Sequence, residues 1–222
     1  MTTKSSATFF VILFLASILF NSCIQRTYYD SPPNNVNNNS NNNNTGNTSG
    51  YRYLFDEEFN GSDLYGWNFT DATDSAYASI QSGSYQYVDY STKLFSTSVV
   101  STGANTTGNF VVQANVKSNN TMGLIFGASS TTNGYAFYVD SNGYYSLYSE
   151  GNSTTASTLI IPSTQDTLYA TKKGWNLLEI DQINGNWTGF INGTQVFQIA
   201  GRSVTGAGFG FKVVPGTIGY AD

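Results

Sequence analysis

The chain has 222 residues, 14 acids against 9 bases for a formal net charge of −5, and only 10% charged residues, where a soluble domain usually carries roughly 25%. It holds no histidine and a single cysteine, Cys23, which excludes Ser–His and Cys–His nucleophilic sites, a histidine general base, His-ligated zinc or haem, and an intrachain disulfide. The few bases are scattered, which excludes a phosphate-tracking nucleic-acid surface, while 15% aromatic residues supply bulk for a core.

The amino-terminal stretch is polar with Lys4, followed by an apolar run from Phe9 to Phe20 broken only by Ser17. A run of about twelve residues is short of the ~20 that span a bilayer and has the length of a signal-peptide core. Directly after it stands Leu19-Phe20-Asn21-Ser22-Cys23. This resembles the lipobox of bacterial lipoproteins, in which the cysteine thiol is diacylated, the peptide is cut before the cysteine and the new amino terminus is acylated. Phe20 and Asn21 depart from the usual pattern, and an ordinary secretory signal with an incidental cysteine is the alternative. The only cysteine of the chain falling here favours the lipobox. The resemblance implies a lipoprotein signal peptide over residues 1–22, palmitate-type acylation of Cys23 and a membrane partner through that anchor. Ile24 and Gln25 follow, with no aspartate after the cysteine, which implies the cell outer membrane or surface. Each buried CH₂ of an acyl chain contributes about 0.8 kcal/mol, so two or three chains anchor stably.

Residues 23–50 read as the lipidated terminus and a linker. Pro32-Pro33 stops regular structure, and Asn34 to Thr48 is mostly asparagine with Ser, Thr and Gly. Such a composition buries too little apolar area to offset its ordering entropy.

Residues 51–222 read as one all-β domain. Phe110, Val112, Ala114 and Val116 alternate on one face, Thr121–Gly127 is a short apolar run, and Tyr135–Asp140 turns at Asn142-Gly143 into Tyr144–Tyr148. Trp175–Ile183, Asn186–Ile191 and Thr194–Ile199 are separated by two Asn-Gly steps, the signature of tight hairpins in a β-meander. Leu178 and Ile180 are expected inward together with Trp175, with Glu179 and Asp181 on the other face. Many short antiparallel strands imply a sandwich or jelly roll.

Four pieces carry a resemblance: Tyr53–Phe59 leading to Gly66-Trp67; Gly123–Phe126 followed by Asn133–Phe137; Trp175–Ile180 with Gly185-Asn186 and Ile191–Thr194; and Gly208–Phe211 through Gly219–Asp222. In this order they resemble the concanavalin A-like lectin/glucanase (laminin G-like) jelly rolls. That family includes bacterial lipoprotein domains of the keto-disaccharide-hydrolase type, carbohydrate-binding modules and family 16 glycosidases. The resemblance implies an antiparallel two-sheet sandwich. It also implies a structural Ca²⁺ between the terminal strands, with Asp56 and Asp222 as the side chains.

Glu179-Ile180-Asp181-Gln182-Ile183-Asn184 resembles the family 16 catalytic strand Glu-x-Asp-x-x-Glu, but Asn184 stands where the general acid belongs. A retaining glycosidase needs a second carboxyl about 5–5.5 Å from the first. Tyr138, Tyr145 and Trp187 are the candidate ligand-binding aromatics, because their faces stack on sugar rings. The reading is a surface-anchored, non-catalytic binding module with carbohydrate as the expected ligand; the alternatives are a glycoside-active enzyme of the keto-disaccharide-hydrolase or family 16 type and a structural surface lipoprotein without a small ligand.

Overall fold

A computed structural model describes residues 24–29, 51–72, 75–92, 96–103, 106–151, 155–166 and 173–222, with side chains from residue 55 onward. Cys23, the apolar run and the Asn-rich stretch lie outside these residues. The described chain is all β, without a helix. The strands are β1 (Ile24–Tyr29), β2 (Tyr51–Glu57), β3 (Phe69–Asp71), β4 (Ala76–Gln81), β5 (Ser84–Asp89), β6 (Ser96–Ser101), β7 (Asn109–Ser118) and β8 (Thr121–Ala128). They continue as β9 (Tyr135–Asp140), β10 (Tyr144–Ser149), β11 (Thr158–Gln165), β12 (Asn176–Ile183), β13 (Asn186–Ile191), β14 (Thr194–Ala200), β15 (Gly208–Val213) and β16 (Thr217–Ala221).

The strands form two antiparallel sheets. The larger runs β14-β13-β12-β7-β16-β5-β4-β3, with β1 also on β7 and β2 on β1; the smaller runs β11-β10-β9-β8-β15-β6. This is the antiparallel two-sheet sandwich that the alternation and the turns implied. The meander is set by its turns: Asn184-Gly185 and Asn192-Gly193 both take positive φ at both residues, the geometry of a two-residue hairpin whose twist matches its strands. The Asn184 N–H also donates to Asn109 Oδ1 at 2.8 Å, tying the turn to β7.

The core lies between the sheets. Phe110, Val112, Ala114 and Val116 of β7 and Leu178, Ile180 and Ile191 of the meander are fully buried against Leu124, Phe126, Phe137, Phe209 and Phe211 of the smaller sheet. An aromatic block of Phe59, Trp67, Tyr85 and Phe211 fills one end, with Phe59 stacked on Tyr85 at 5.3 Å. Such pairs add about 0.5–1.5 kcal/mol beyond their buried area.

One expectation is corrected here. Trp175 does not join Leu178 and Ile180 inside: it precedes β12 and is 39% exposed, because the alternation that buries Asn176, Leu178 and Ile180 gives it the parity of the outward Glu179 and Asp181. Residues 24–29, ahead of the Asn-rich stretch, are strand β1, paired with both β2 and β7.

Candidate functional site

The outer face of the smaller sheet carries a cavity of about 260 Å³ lined by Thr121, Tyr138, Ser146, Tyr148, Glu150, Ser157, Lys212 and Val214. Register explains how distant residues meet there. Ser146 on β10 pairs with Tyr138 on β9, Tyr138 with Gly123 on β8, and Gly123 with Lys212 on β15. A single cross-strand row thus holds a hydroxyl, a phenol, a glycine and an ammonium. Side chains on one face of neighbouring strands stand within contact distance.

Gly123 makes the row possible. A Cβ there would come within 2.6 Å of the Tyr138 ring, so the ring lies directly over the strand only because glycine has no side chain. Gly123→Ala is expected to displace Tyr138 and to cost about 1–3 kcal/mol by overpacking. A denaturation midpoint unchanged from wild type would contradict this placement.

The floor is electrostatically closed. Glu150 Oε1 accepts from the Tyr138 hydroxyl at 2.9 Å, and Oε2 accepts from Ser157 Oγ at 3.0 Å and from Lys212 Nζ. The Glu150 and Lys212 side chains are only 4% and 12% exposed. Burial first, and then the adjacent Glu150 carboxylate, push the Tyr138 hydroxyl well above its ordinary value, so it remains a donor. Tyr148 stands edge-on to Tyr138, with ring centres 5.8 Å apart, and forms a half-buried wall of the cavity. Sequence reasoning missed Glu150, Lys212 and Tyr148. The available signal was a lone lysine in the otherwise apolar strand Gly208–Val213 of a chain poor in charge.

Of the three aromatics expected at a ligand, only Tyr138 lines this cavity. Tyr145 is buried and points into the sandwich, its hydroxyl donating to the Val196 carbonyl at 2.9 Å. Trp187 is fully buried, with its indole N–H donating to Gln182 Oε1 at 2.7 Å and its ring edge-on to Tyr135 at 4.5 Å. Both are core residues, placed there by the meander and hairpin registers. Asp56 is exposed on β2, whereas Asp222 is buried at the end of β16, where its backbone exchanges both hydrogen bonds with Asn115. The ends of β2 and β16 do approach the same stretch of sheet, since Ile24 pairs with Glu57. Among the described residues, however, no three His, Cys, Asp or Glu side chains cluster as a metal site.

Glu179 and Asp181 share the outer face of the larger sheet, as alternation required. Glu179 lies opposite Phe190 and Gln113, and Asp181 opposite Thr188 and Val111. Burial, then the Asp181 charge, pushes Glu179 up to about 7, and burial pushes Asp181 up to about 6. Asn184, in the third position of the motif, sits in the turn. The sign of the pH effect is the reverse of a salt-bridged acid. Folded-state values above the ordinary 4.5 and 3.8 mean that the stability these groups contribute is fully present below about pH 4 and is lost as the pH rises through 6 and 7. Glu179→Gln is therefore expected to raise the melting temperature at pH 8 and to leave it unchanged at pH 4. A variant less stable than wild type at pH 8 would show that the carboxylate has a favourable partner.

No protein-family model and no curated protein matches the chain. Among solved structures, the carbohydrate-binding module CBM66 from Bacillus subtilis is 12% identical with a TM-score of 0.43, covering 69% of this chain and 86% of that one. Sheep galectin-11, in complex with glycerol, is 14% identical with a TM-score of 0.38, covering 55% and 96%. A GH16 protein of a Bacteroides ovatus mixed linkage glucan system, in complex with product, is 9% identical with a TM-score of 0.42, covering 76% and 97%.

Proposed function

We propose that this chain is a lipid-anchored, non-catalytic binding module for neutral carbohydrate, with the cavity on the smaller sheet as its site. The observation that carries this reading is the composition of the cavity. Its one carboxylate and its one ammonium are in contact with each other, and the carboxylate accepts three bonds. Among the described residues the lining therefore presents no net charge to a ligand. What it offers is the Tyr148 ring and Val214 as apolar walls, with the hydroxyls of Thr121, Ser146 and Tyr148 between them. A sugar ring has the complementary surface, with C–H patches for an aromatic face and hydroxyls that both donate and accept. Hydrolysis has no support in this cavity, because glycoside cleavage uses two carboxyl groups flanking the bond and Glu150 is the one acid lining it among the described residues. The anchor reading rests on Cys23 and its sequence context, and it places the module in the bacterial cell envelope, at the outer membrane or surface.

A glycan-array screen of the protein tests the reading. The expected result is binding of neutral glycans that survives raised salt and is lost in Tyr148→Ala. Binding only to charged ligands, or no binding at all, would favour the structural-lipoprotein alternative.

The raised pair Glu179 and Asp181 favours a second reading, a glycoside-active enzyme working on the opposite sheet. An acid held protonated near neutral pH is what a general acid requires. Any hydrolysis of β-glucans or keto-disaccharides that is abolished by Glu179→Gln or Asp181→Asn would promote it above the binding module.

A further inference from the structure

Two strands share one edge of β7. Toward the end of β7, Tyr220 pairs with Lys117 and Ala221 with Val116, and Asp222 exchanges both backbone bonds with Asn115. Toward its start, Arg26 pairs with Val112 and Tyr29 with Asn109. Only Gln113 and Ala114 separate the two pairings. Running β1 back from Arg26 sets Gln25 and Ile24 opposite them, so β1 begins where Asp222 ends, in the middle of the larger sheet. The next position along β7, Asn115, is held by Asp222. The core side of this spot is closed, since Val112, Ala114, Val116 and Ala221 have no exposed surface there. Among the described residues the open side here is the outer face of the sheet.

That face has an interfacial character at this spot. Lys117 points outward between two rings, its ammonium 5.9 Å from the Trp175 ring centre and 5.8 Å from that of Tyr220. Trp175 is 39% exposed. Tryptophan and tyrosine settle at the headgroup level of a bilayer, and lysine reaches past them to the polar layer.

We infer that the outer face of the larger sheet, around Trp175, Lys117 and Tyr220, lies against the lipid surface to which the chain is anchored. The inference rests on acylation of Cys23, the residue before Ile24. It makes the sandwich sit flat on the membrane, with no spacer between anchor and sheet. The cavity, on the outer face of the opposite sheet, then opens away from the bilayer. The stretch of residues 30–50 becomes the connection between two antiparallel neighbours, β1 and β2.

The test uses the full chain purified from bacterial membranes in its processed form and reconstituted into phosphatidylcholine vesicles, with plain or brominated acyl chains. Trp67 and Trp187 are fully buried, so a bromolipid effect on emission reports Trp175. The expected result is partial quenching by brominated lipid that disappears in Trp175→Phe, with flotation unchanged. Equal emission in the two kinds of vesicle, while the protein floats with them, would overturn the docking and leave the anchor intact. Failure to float, with no acyl mass on the terminus, would overturn the anchor and this inference with it. In the soluble Cys23→Ser protein, Trp175 is expected to be open to acrylamide. Shielding there would assign the face to residues 30–50 or to a second copy, and would also overturn it.

Discussion

Trp187→Ala is expected to lower stability by about 3–5 kcal/mol, the usual cost of emptying a buried tryptophan site. The ring is fully buried, edge-on to Tyr135 at 4.5 Å and to Phe126 at 5.1 Å. Removing it also leaves Gln182 Oε1 without the indole donor, which adds the penalty of a buried acceptor. Domains are stable by only about 5–15 kcal/mol, so the loss is a large share of the total. Urea denaturation measures it directly. A variant of wild-type midpoint that had lost a glycan ligand would return Trp187 to the role of a binding platform.

Glu150→Ala is expected to have a comparable effect by a different route. It removes the carboxylate that the Lys212 ammonium, only 12% exposed, is paired with. Removing one partner of a buried pair costs about 3–5 kcal/mol, whereas replacing both by apolar residues of similar volume is often close to neutral. The double variant Glu150→Met with Lys212→Met should therefore recover much of the stability lost in the single one. Equal losses in the single and double variants would show that the two charges are not coupled. The double variant also removes the polar floor of the cavity, so a stable protein without sugar affinity is the expected product.

Much of the architecture was legible because local chemistry dictated it. Asn-Gly at 184–185 and 192–193 can take the positive φ that a two-residue hairpin demands, and the alternation Leu178, Ile180 against Glu179, Asp181 set the inner and outer faces of β12. The same turn also assigned Trp187, although its aromatic character suggested a ligand. A two-residue turn at 184–185 pairs Gln182 with Trp187, and Gln182 shares the inward face of Ile180. Tyr145 was harder. In β9 every residue from Tyr135 to Val139 is buried, so alternation there cannot tell the core side from the cavity side, and its partner β10 inherits the ambiguity.

Other elements carried no local signal. Strand β11 is mostly exposed and contains Pro162, a composition that suits an edge strand but does not announce one. Strand β1 stands before an Asn-rich stretch and owes its place to pairing with β2 and β7 rather than to its own pattern. The cavity depends on Glu150 meeting Lys212 across a separation of 62 residues. That meeting follows only from the strand order of the smaller sheet, which no periodicity encodes.

The most direct measurement of the central claim is chemical-shift mapping of the protein as a neutral oligosaccharide from the array is added. The account predicts that the moving resonances belong to Thr121, Tyr138, Ser146, Tyr148 and Lys212, while those of Tyr145 and Trp187 stay in place. Shifts centred on Glu179 and Asp181, with release of a shortened sugar, would contradict it.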